Sequence, residues 1–393
     1  MVAPTDTWGA PQAQFWLRGE RPPAPVLWEE DKGVYHVYGH PEAVEVLQDP
    51  GTFSHDTGRL FPVQLDERMT VGNMLQLDPP EHTRLRRLIS RAFTPRIVAD
   101  LEPRIAELTC ELLDEAGDVD RMELVDRLAY PLPVIVIAEL LGVPASDRPQ
   151  FKKWTSKLLE SSADALGEVD QDELDEQFDD LEQMRAYLRE HAAERRRVPR
   201  EDLLTKLAEA EVDGERLSDD QVVNFANLLL IAGHITTTLL LGNTVLALDA
   251  HPGHAARVRA DRTLVPGAIE ESLRLIPPVA RAFRATNRDS VLAGQPIPRD
   301  QLVAVWLGAA NRDERVFPDP HTFDPERDPN PHVTFGRGVH FCIGAPLARL
   351  EGRIALNILF DRYPALRLDP ERPPVFHPSP DITGVRELPV VLR

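Results

Sequence analysis

From Ser218 to Ala250 the sequence can be read as one helix and as little else. Ser218 followed three residues later by Gln221 is a capping box, in which each side chain answers the other's backbone N–H. Apolar residues at helical spacing then continue to Ala250, and His251-Pro252-Gly253 ends the run. About 32 residues at 1.5 Å each give ~48 Å, enough to cross a protein of this size. A chain organised round such an axis must pack other helices against it. Helical periodicity duly marks roughly 41–48, 81–93, 97–116, 122–141, 147–162, 173–197, 266–275 and 345–361. Strand signals are few. Val26-Leu27-Trp28 and Val34–Tyr38 flank Glu29–Gly33 as a hairpin, and Leu302–Leu307 and Glu387–Leu392 read as single strands. The expected fold is mainly α with small β-sheets at its edges. No linker or internal repeat divides the 393 residues, so a single domain over 1–393 is expected.

Composition narrows the function. Lys and Arg number 44 against 64 Asp and Glu, and a net charge of −20 argues against general nucleic-acid binding, which needs a basic footprint. Two cysteines, Cys110 and Cys342, are too few for a disulfide framework and fit a reducing cytoplasm. Met1–Glu20 lacks the charged and apolar regions of a leader, and the apolar stretches Leu132–Ala138 and Leu228–Gly233 fall short of the ~18 residues of a membrane span. A soluble, cytoplasmic, globular protein is expected. Residues 160–182 hold eleven acids and no Lys or Arg, a solvated helix–loop–helix whose functional alternative is a lid over a pocket.

The strongest chemical signal is Phe335-Gly336-Arg337-Gly338-Val339-His340-Phe341-Cys342-Ile343-Gly344, of the form F-x-x-G-x-H-x-C-x-G, with a helix starting at Ala345. Its glycines let backbone approach something flat and bulky. Cys342 stands at the mouth of a helix, where unpaired N–H groups favour a thiolate. One thiolate without a neighbouring Cys or metal-spaced His is wrong for zinc or an iron–sulfur cluster and suits a single axial bond to haem iron. Five fixed positions at about 5% usage each recur by chance ~10⁻⁴ times in such a chain. Cys110, between Ile105, Leu108 and Leu112, reads instead as a core thiol.

With this loop the chain resembles a cytochrome P450 of the soluble bacterial, ferredoxin-dependent type, over nearly its whole length. The resemblance implies a triangular helical prism around haem b (iron protoporphyrin IX), with Cys342 as metal ligand and catalytic group beside Thr236. It implies a haem-thiolate monooxygenase that inserts one oxygen atom from O2 into a C–H or C=C bond. Its electrons come from a ferredoxin and a ferredoxin reductase. Cofactor contacts carry over to Phe335 and His340, to His82 and Arg86 in Asp78-Pro79-Pro80-Glu81-His82-Thr83-Arg84-Leu85-Arg86, and to Arg284 after Pro277-Pro278. His82 and Arg86, i and i+4, share one helix face and can hold a carboxylate together. Arg84, Arg87 and Arg91 add to a basic patch for an acidic electron donor. The family's E-x-x-R pair becomes Glu271 and Arg274, joined by Arg327 in a structural ion network. That motif also occurs at Glu81/Arg84, Glu182/Arg185 and Glu194/Arg197, so only its position selects the copy.

The long helix carries a departure. In Ala232-Gly233-His234-Ile235-Thr236-Thr237-Thr238, Thr236 matches the family's oxygen-handling threonine, but Ile235 stands where an acid is usual. His234 points about 100° round the helix and is no obvious substitute. The resemblance lines the pocket from Arg59–Gln76, the 160–180 lid, Leu229–Thr237, Val279–Phe283 and Ile382–Val385, with Leu229, Ala232, Gly233, Ile235, Val279, Ala280 and Ile382 as the named residues. These stretches are mostly apolar, so the expected substrate is a hydrophobic or amphipathic small molecule, such as a polyketide, macrolide or terpene secondary metabolite. Three alternatives stay open on the residues alone. They are an enzyme that uses peroxide or catalyses coupling, dehydration or isomerisation, a non-catalytic haem-binding sensor, and a haem-free relative.

Overall fold

The computed structural model describes residues 8–60, 71–147, 149–151, 153–154, 165–167 and 171–393, the side chains of 145 and 171–178 excepted. Residues 160–164 and 168–170 of the expected 160–180 lid and much of the 59–76 pocket stretch lie outside the described residues, as does most of the helix expected over 147–162.

The hairpin forms as expected, β1 Val26–Glu29 against β2 Val34–Val37, and is extended into a sheet of order β1-β2-β10-β7-β3. Here β3 is Phe53–Ser54, β7 Arg281–Thr286 and β10 Leu302–Trp306; between them in the chain lie β4 Arg121–Glu123, the pair β5 Glu211–Val212 and β6 Glu215–Arg216, and the pair β8 Ser290–Leu292 and β9 Gln295–Ile297. All four residues of β2 are buried because it is paired on both edges. Strand β7 is not marked in the sequence reading. Its alternation is broken by Arg281 and Arg284, both buried here, so its pattern resembles no half-exposed strand. At the C-terminus one expected strand is two, Val385–Glu387 and Pro389–Val391.

Helices supply the bulk. In chain order they are α1 His40–Gln48, α2 Glu81–Ala92, α3 Pro95–Ala99, α4 Glu102–Glu115, α5 Pro131–Leu140, α6 Gln171–Arg197, α7 Leu203–Glu209, α8 Asp219–Ala250, α9 Pro252–Ala260, α10 Val265–Leu275, α11 Leu307–Ala310 and α12 Ala345–Arg362. The capping box at Ser218 is present in both directions, and α8 runs unbroken for 32 residues. By length and composition α8 could cross a bilayer, but 72% of its most apolar window is buried inside the protein, as befits an axis enclosed by α5, α6, α10 and α12. Each fully buried leucine on it, such as Leu239 or Leu246, stabilises the fold by about 1.5–3 kcal/mol. Pro252, expected only to end α8, also begins α9, since a first-turn residue needs no N–H.

Two expected helices break, both at prolines. The 97–116 run divides at Asp100–Leu101, with Pro103 in the first turn of α4. The 122–141 run becomes a strand, β4 Arg121–Glu123, a π-helical turn Val125–Ala129, and then α5 started by Pro131. A short apolar run fits either period, and pairing of Met122 with Val390 decides for the strand. On α4, Ile105, Leu108 and Leu112 are buried, but Cys110 is exposed, correcting its assignment as a core thiol. Two residues beyond Leu108 it lies about 200° round the helix, on the opposite face.

Helix α12 packs along α8 and α10, so the cysteine loop at its N-terminus is delivered beside the middle of the molecule. The turn at Gly338–His340 also rests on α1. A Cβ on Gly338 would sit 3.3 Å from the Gln48 Cα, and this residue adopts φ +69°. Only glycine meets both demands cheaply.

Candidate active site

The cysteine loop is closed by its own backbone. Gly336 N–H donates to Val333 O at 2.8 Å and Cys342 N–H to Phe335 O at 2.9 Å, while Arg349 lies 4.5 Å over the Phe335 ring. Burial raises the Cys342 thiol above its ordinary value. The N–H groups of Gly344 and Ala345 and the charges of Arg86 and Arg349 pull the other way. The helix mouth is therefore present as the sequence suggests, and burial works against it.

Around this loop gather the four residues assigned to the cofactor's carboxylates. His82 and Arg86 reach it from α2, Arg284 from β7, and His340 from the loop itself. The His82 and His340 ring centroids are 3.8 Å apart, and Arg86 Nη2 donates to Phe341 O at 2.6 Å. A fifth residue joins them that the sequence reading missed. His55, just past β3, stacks on His340 with centroids 3.3 Å apart. No motif announces it. Only the pairing of β3 with β7 brings it to Arg284.

The electrostatics of this cluster are lopsided. Both ring nitrogens of His82 are buried without a partner, as are Nε2 of His340 and Nε2 of His55. Burial holds the His340 ring down to about 3 and Arg284 to about 10, and lowers His82. The nearby carboxylate, Asp78, already accepts from Ser54 Oγ at 2.5 Å and from His55 N–H at 3.0 Å. Buried donors without acceptors, gathered beside one cysteine, suit a flat cofactor that brings its own carboxylates and a metal that takes one thiolate. The residues present fit haem.

On α8, Thr236 Oγ1 donates to Ala232 O at 2.6 Å. Ala232, Gly233 and Thr236 form the accessible side of the helix between buried neighbours. Gly233 has the packing reason its cost in a helix implies: a Cβ there would lie 2.6 Å from Ile137 Cδ1 on α5. Ile235 is buried. His234 is buried too, both nitrogens unpartnered, its ring edge-on to Tyr130 at 4.5 Å and held by burial down to about 3. It is a neutral core residue.

Of the other named pocket residues, Val279 and Ile382 are accessible and bridge each other as antiparallel backbone. Leu229 is buried, and Ala280 is fully buried, its backbone tied to Asp381 and Leu307, so it adds no surface to the opening. Asn243, unmarked in the sequence, fixes this wall by donating to Ile276 O and Thr383 O, both at 3.0 Å. From the stretch expected as a lid, Ala165 N–H reaches Asp381 at 2.8 Å.

The ion network is complete. Arg274 grips Glu271 through two bonds of 2.8 and 2.7 Å, Arg327 adds one at 2.9 Å, and Arg274 also binds the carbonyls of Asn311, Pro320 and Thr322. The basic patch is corrected. Arg84 and Arg87 are paired with Glu215 and Asp213, and Arg91 bonds Glu211 O, so they fasten the Glu211–Arg216 hairpin to α2.

A family model described as Cytochrome P450 matches residues 7–387. The chain is 44% identical over 381 residues to the cyclomarin C epoxidase CymV of Salinispora arenicola, covering 96% of this chain and 95% of that protein. It is 43% identical over 378 residues to the erythromycin C-12 hydroxylase of Saccharopolyspora erythraea, covering 96% and 93%. The crystal structure of HmtT, involved in himastatin biosynthesis, superimposes with a TM-score of 0.93 at 54% identity over 100% of both chains. A haem-iron cofactor belongs to this family. By the family match over residues 7–387 and by these relatives, the chain belongs to the cytochrome P450 family and is a monooxygenase.

Proposed function

We propose that this monooxygenase binds haem b as one domain over residues 1–393, with the Cys342 thiolate as the protein's ligand to iron. The buried donors without acceptors around His340 carry this reading. Bound there, haem would supply oxygen activation, and the Cys342 thiolate would be the electron-rich protein ligand that supports it. His82, Arg86, Arg284 and His340 hold the propionates, and Phe335 packs beside the loop. The apolar wall around Val279, Ile382 and α8 orients substrate and excludes water. Thr236 keeps its hydroxyl proton on Ala232 O and offers its lone pairs to a water, which is then the proton carrier beside α8.

The substrate we assign is a secondary metabolite of hydrophobic or amphipathic character, as the names of the relatives suggest. The electron source is a ferredoxin and its reductase, and the compartment is the cytoplasm. The test is absorbance. The reduced carbonyl complex should show the red-shifted thiolate band, and Cys342→His should keep some haem while losing that band and the activity. A screen for compounds that displace water from the ferric haem then gives the substrate class. Ile235 favours one second reading, an enzyme driven by peroxide or one that couples or dehydrates. Product formation with peroxide alone, at a rate above that with ferredoxin, reductase and NADPH, decides for it.

A further inference from the structure

His55 is fixed from three sides. Its backbone N–H donates to Asp78 Oδ1 at 3.0 Å, its Nδ1–H donates to Leu75 O at 3.1 Å, and its ring lies on His340, 15° from coplanar. Each of the two stacked imidazoles is left with a buried Nε2 that has no partner. His55 as a residue is only 9% exposed, so water does not account for its free nitrogen.

His55 is set beside the buried guanidinium of Arg284 and two further imidazoles. Burial pushes the His55 ring down to about 2, and Arg284, His340 and His82 push it further the same way. Asp78, the acid nearby, is engaged by Ser54 and by the His55 backbone. A carboxylate placed beside the ring opposes these effects and favours its charged form.

Resting on the haem reading above, we propose that His55 is a fifth holder of the cofactor's carboxylates, its Nε2–H donating to a propionate while Nδ1–H stays on Leu75 O. The ring then carries a positive charge opposite the carboxylate, a charge-assisted bond of the stronger kind. His55 is a positioning residue. It fixes the porphyrin edge and the His340 ring together and touches no reacting atom.

The experiment uses the loaded protein. Resonance Raman scattering resolves the propionate-bending band, which reports hydrogen bonds to those carboxylates, and transfer of haem to apomyoglobin gives its rate of loss. His55→Asn keeps an amide N–H within reach of Leu75 O but cannot reach the propionate. It should shift the band and speed haem loss about tenfold or more, the loss of one charge-assisted bond. His55→Gln, whose amide extends to the Nε2 position, should restore much of both. If His55→Asn loads no haem, His55→Phe, which preserves the stacked ring without nitrogens, takes its place in the same comparison. An unchanged propionate band in the variant overturns the proposal even if haem loss is faster, since a packing role alone speeds loss without moving that band. Wild-type protein that contains no haem overturns the cofactor reading itself, a result read from absorbance before any variant is made.

Discussion

Two cysteines on this chain meet opposite fates for reasons that lie one residue apart. Cys110 sits exposed on the outward face of α4, and Cys342 is half-buried in its loop at the mouth of α12. In the folded protein a maleimide should therefore label Cys110 first, and Cys110→Ala should leave the haem spectrum unchanged. Labelling confined to Cys342 would show that α4 is rotated from the orientation described. Ile235 poses the other question at this scale. An isoleucine can neither carry nor orient a proton, so on the reading proposed above protons would reach the site through water held by Thr236 or through the substrate's own hydroxyls. Ile235→Glu should raise the yield of product per NADPH, and Thr236→Ala should lower it. Equal coupling in both variants would mean that protons enter elsewhere and would favour the peroxide-driven reading.

The cysteine loop is not held by its sequence alone but by a clamp between α10 and α12. Burial raises the Glu270 carboxyl, and Arg349, at 2.7 and 2.8 Å, with His332, at 3.0 Å, outweighs it, bringing the group from 4.5 to about 2. A carboxylate depressed in the folded state contributes stability that is present above its unfolded value and lost as pH falls through the folded one. Glu270→Gln should thus cost about 1–3 kcal/mol at pH 7. Urea unfolding should show that difference shrinking between pH 4.5 and about 2, the two values that bound the window. Close packing of α10 gives a second test. A Cβ on Gly267 would lie 1.9 Å from the backbone oxygen of Pro325, whereas Gly253 in α9 has nothing within 4 Å. Gly267→Ala should lower the melting temperature by several degrees, and Gly253→Ala should leave it level or raise it, since alanine is worth up to about 1 kcal/mol over glycine in a helix.

Across the whole molecule, the segment from Asn311 to Asn330 has little regular structure and is organised by charge. Glu271 and Arg274 are wholly buried, and between them they bind Arg327, Asn330, the Asp324 N–H and three carbonyls. Removing one member strands the others in low dielectric. Arg274→Leu should cost about 3–5 kcal/mol and loosen haem through the cysteine loop that follows. Arg327→Leu, at the rim and 10% exposed, should cost less. Equal melting temperatures for the two variants would mean that the network's centre is no better shielded than its edge.

The same division separates what the sequence by itself determined from what only the tertiary structure decided. The capped α8, the hairpin at Gly33, the cysteine loop with its following helix, and His82 with Arg86 on one helix face all follow from local rules of period, capping and spacing. Each needs only neighbours in sequence. The Glu271–Arg274 pair was legible by position, but its carbonyl partners were not. Strand β7, the split of the 122–141 run, the engagement of Arg84 and Arg87 by the Glu211–Arg216 hairpin, and the outward turn of Cys110 depend on partners far along the chain. His55 is the clearest instance. Nothing in Phe53-Ser54-His55 marks a cofactor contact, because its meaning comes from Arg284 and His340, which lie more than two hundred residues away and are brought there by the pairing of β3 with β7 and by the packing of α1 on the cysteine loop.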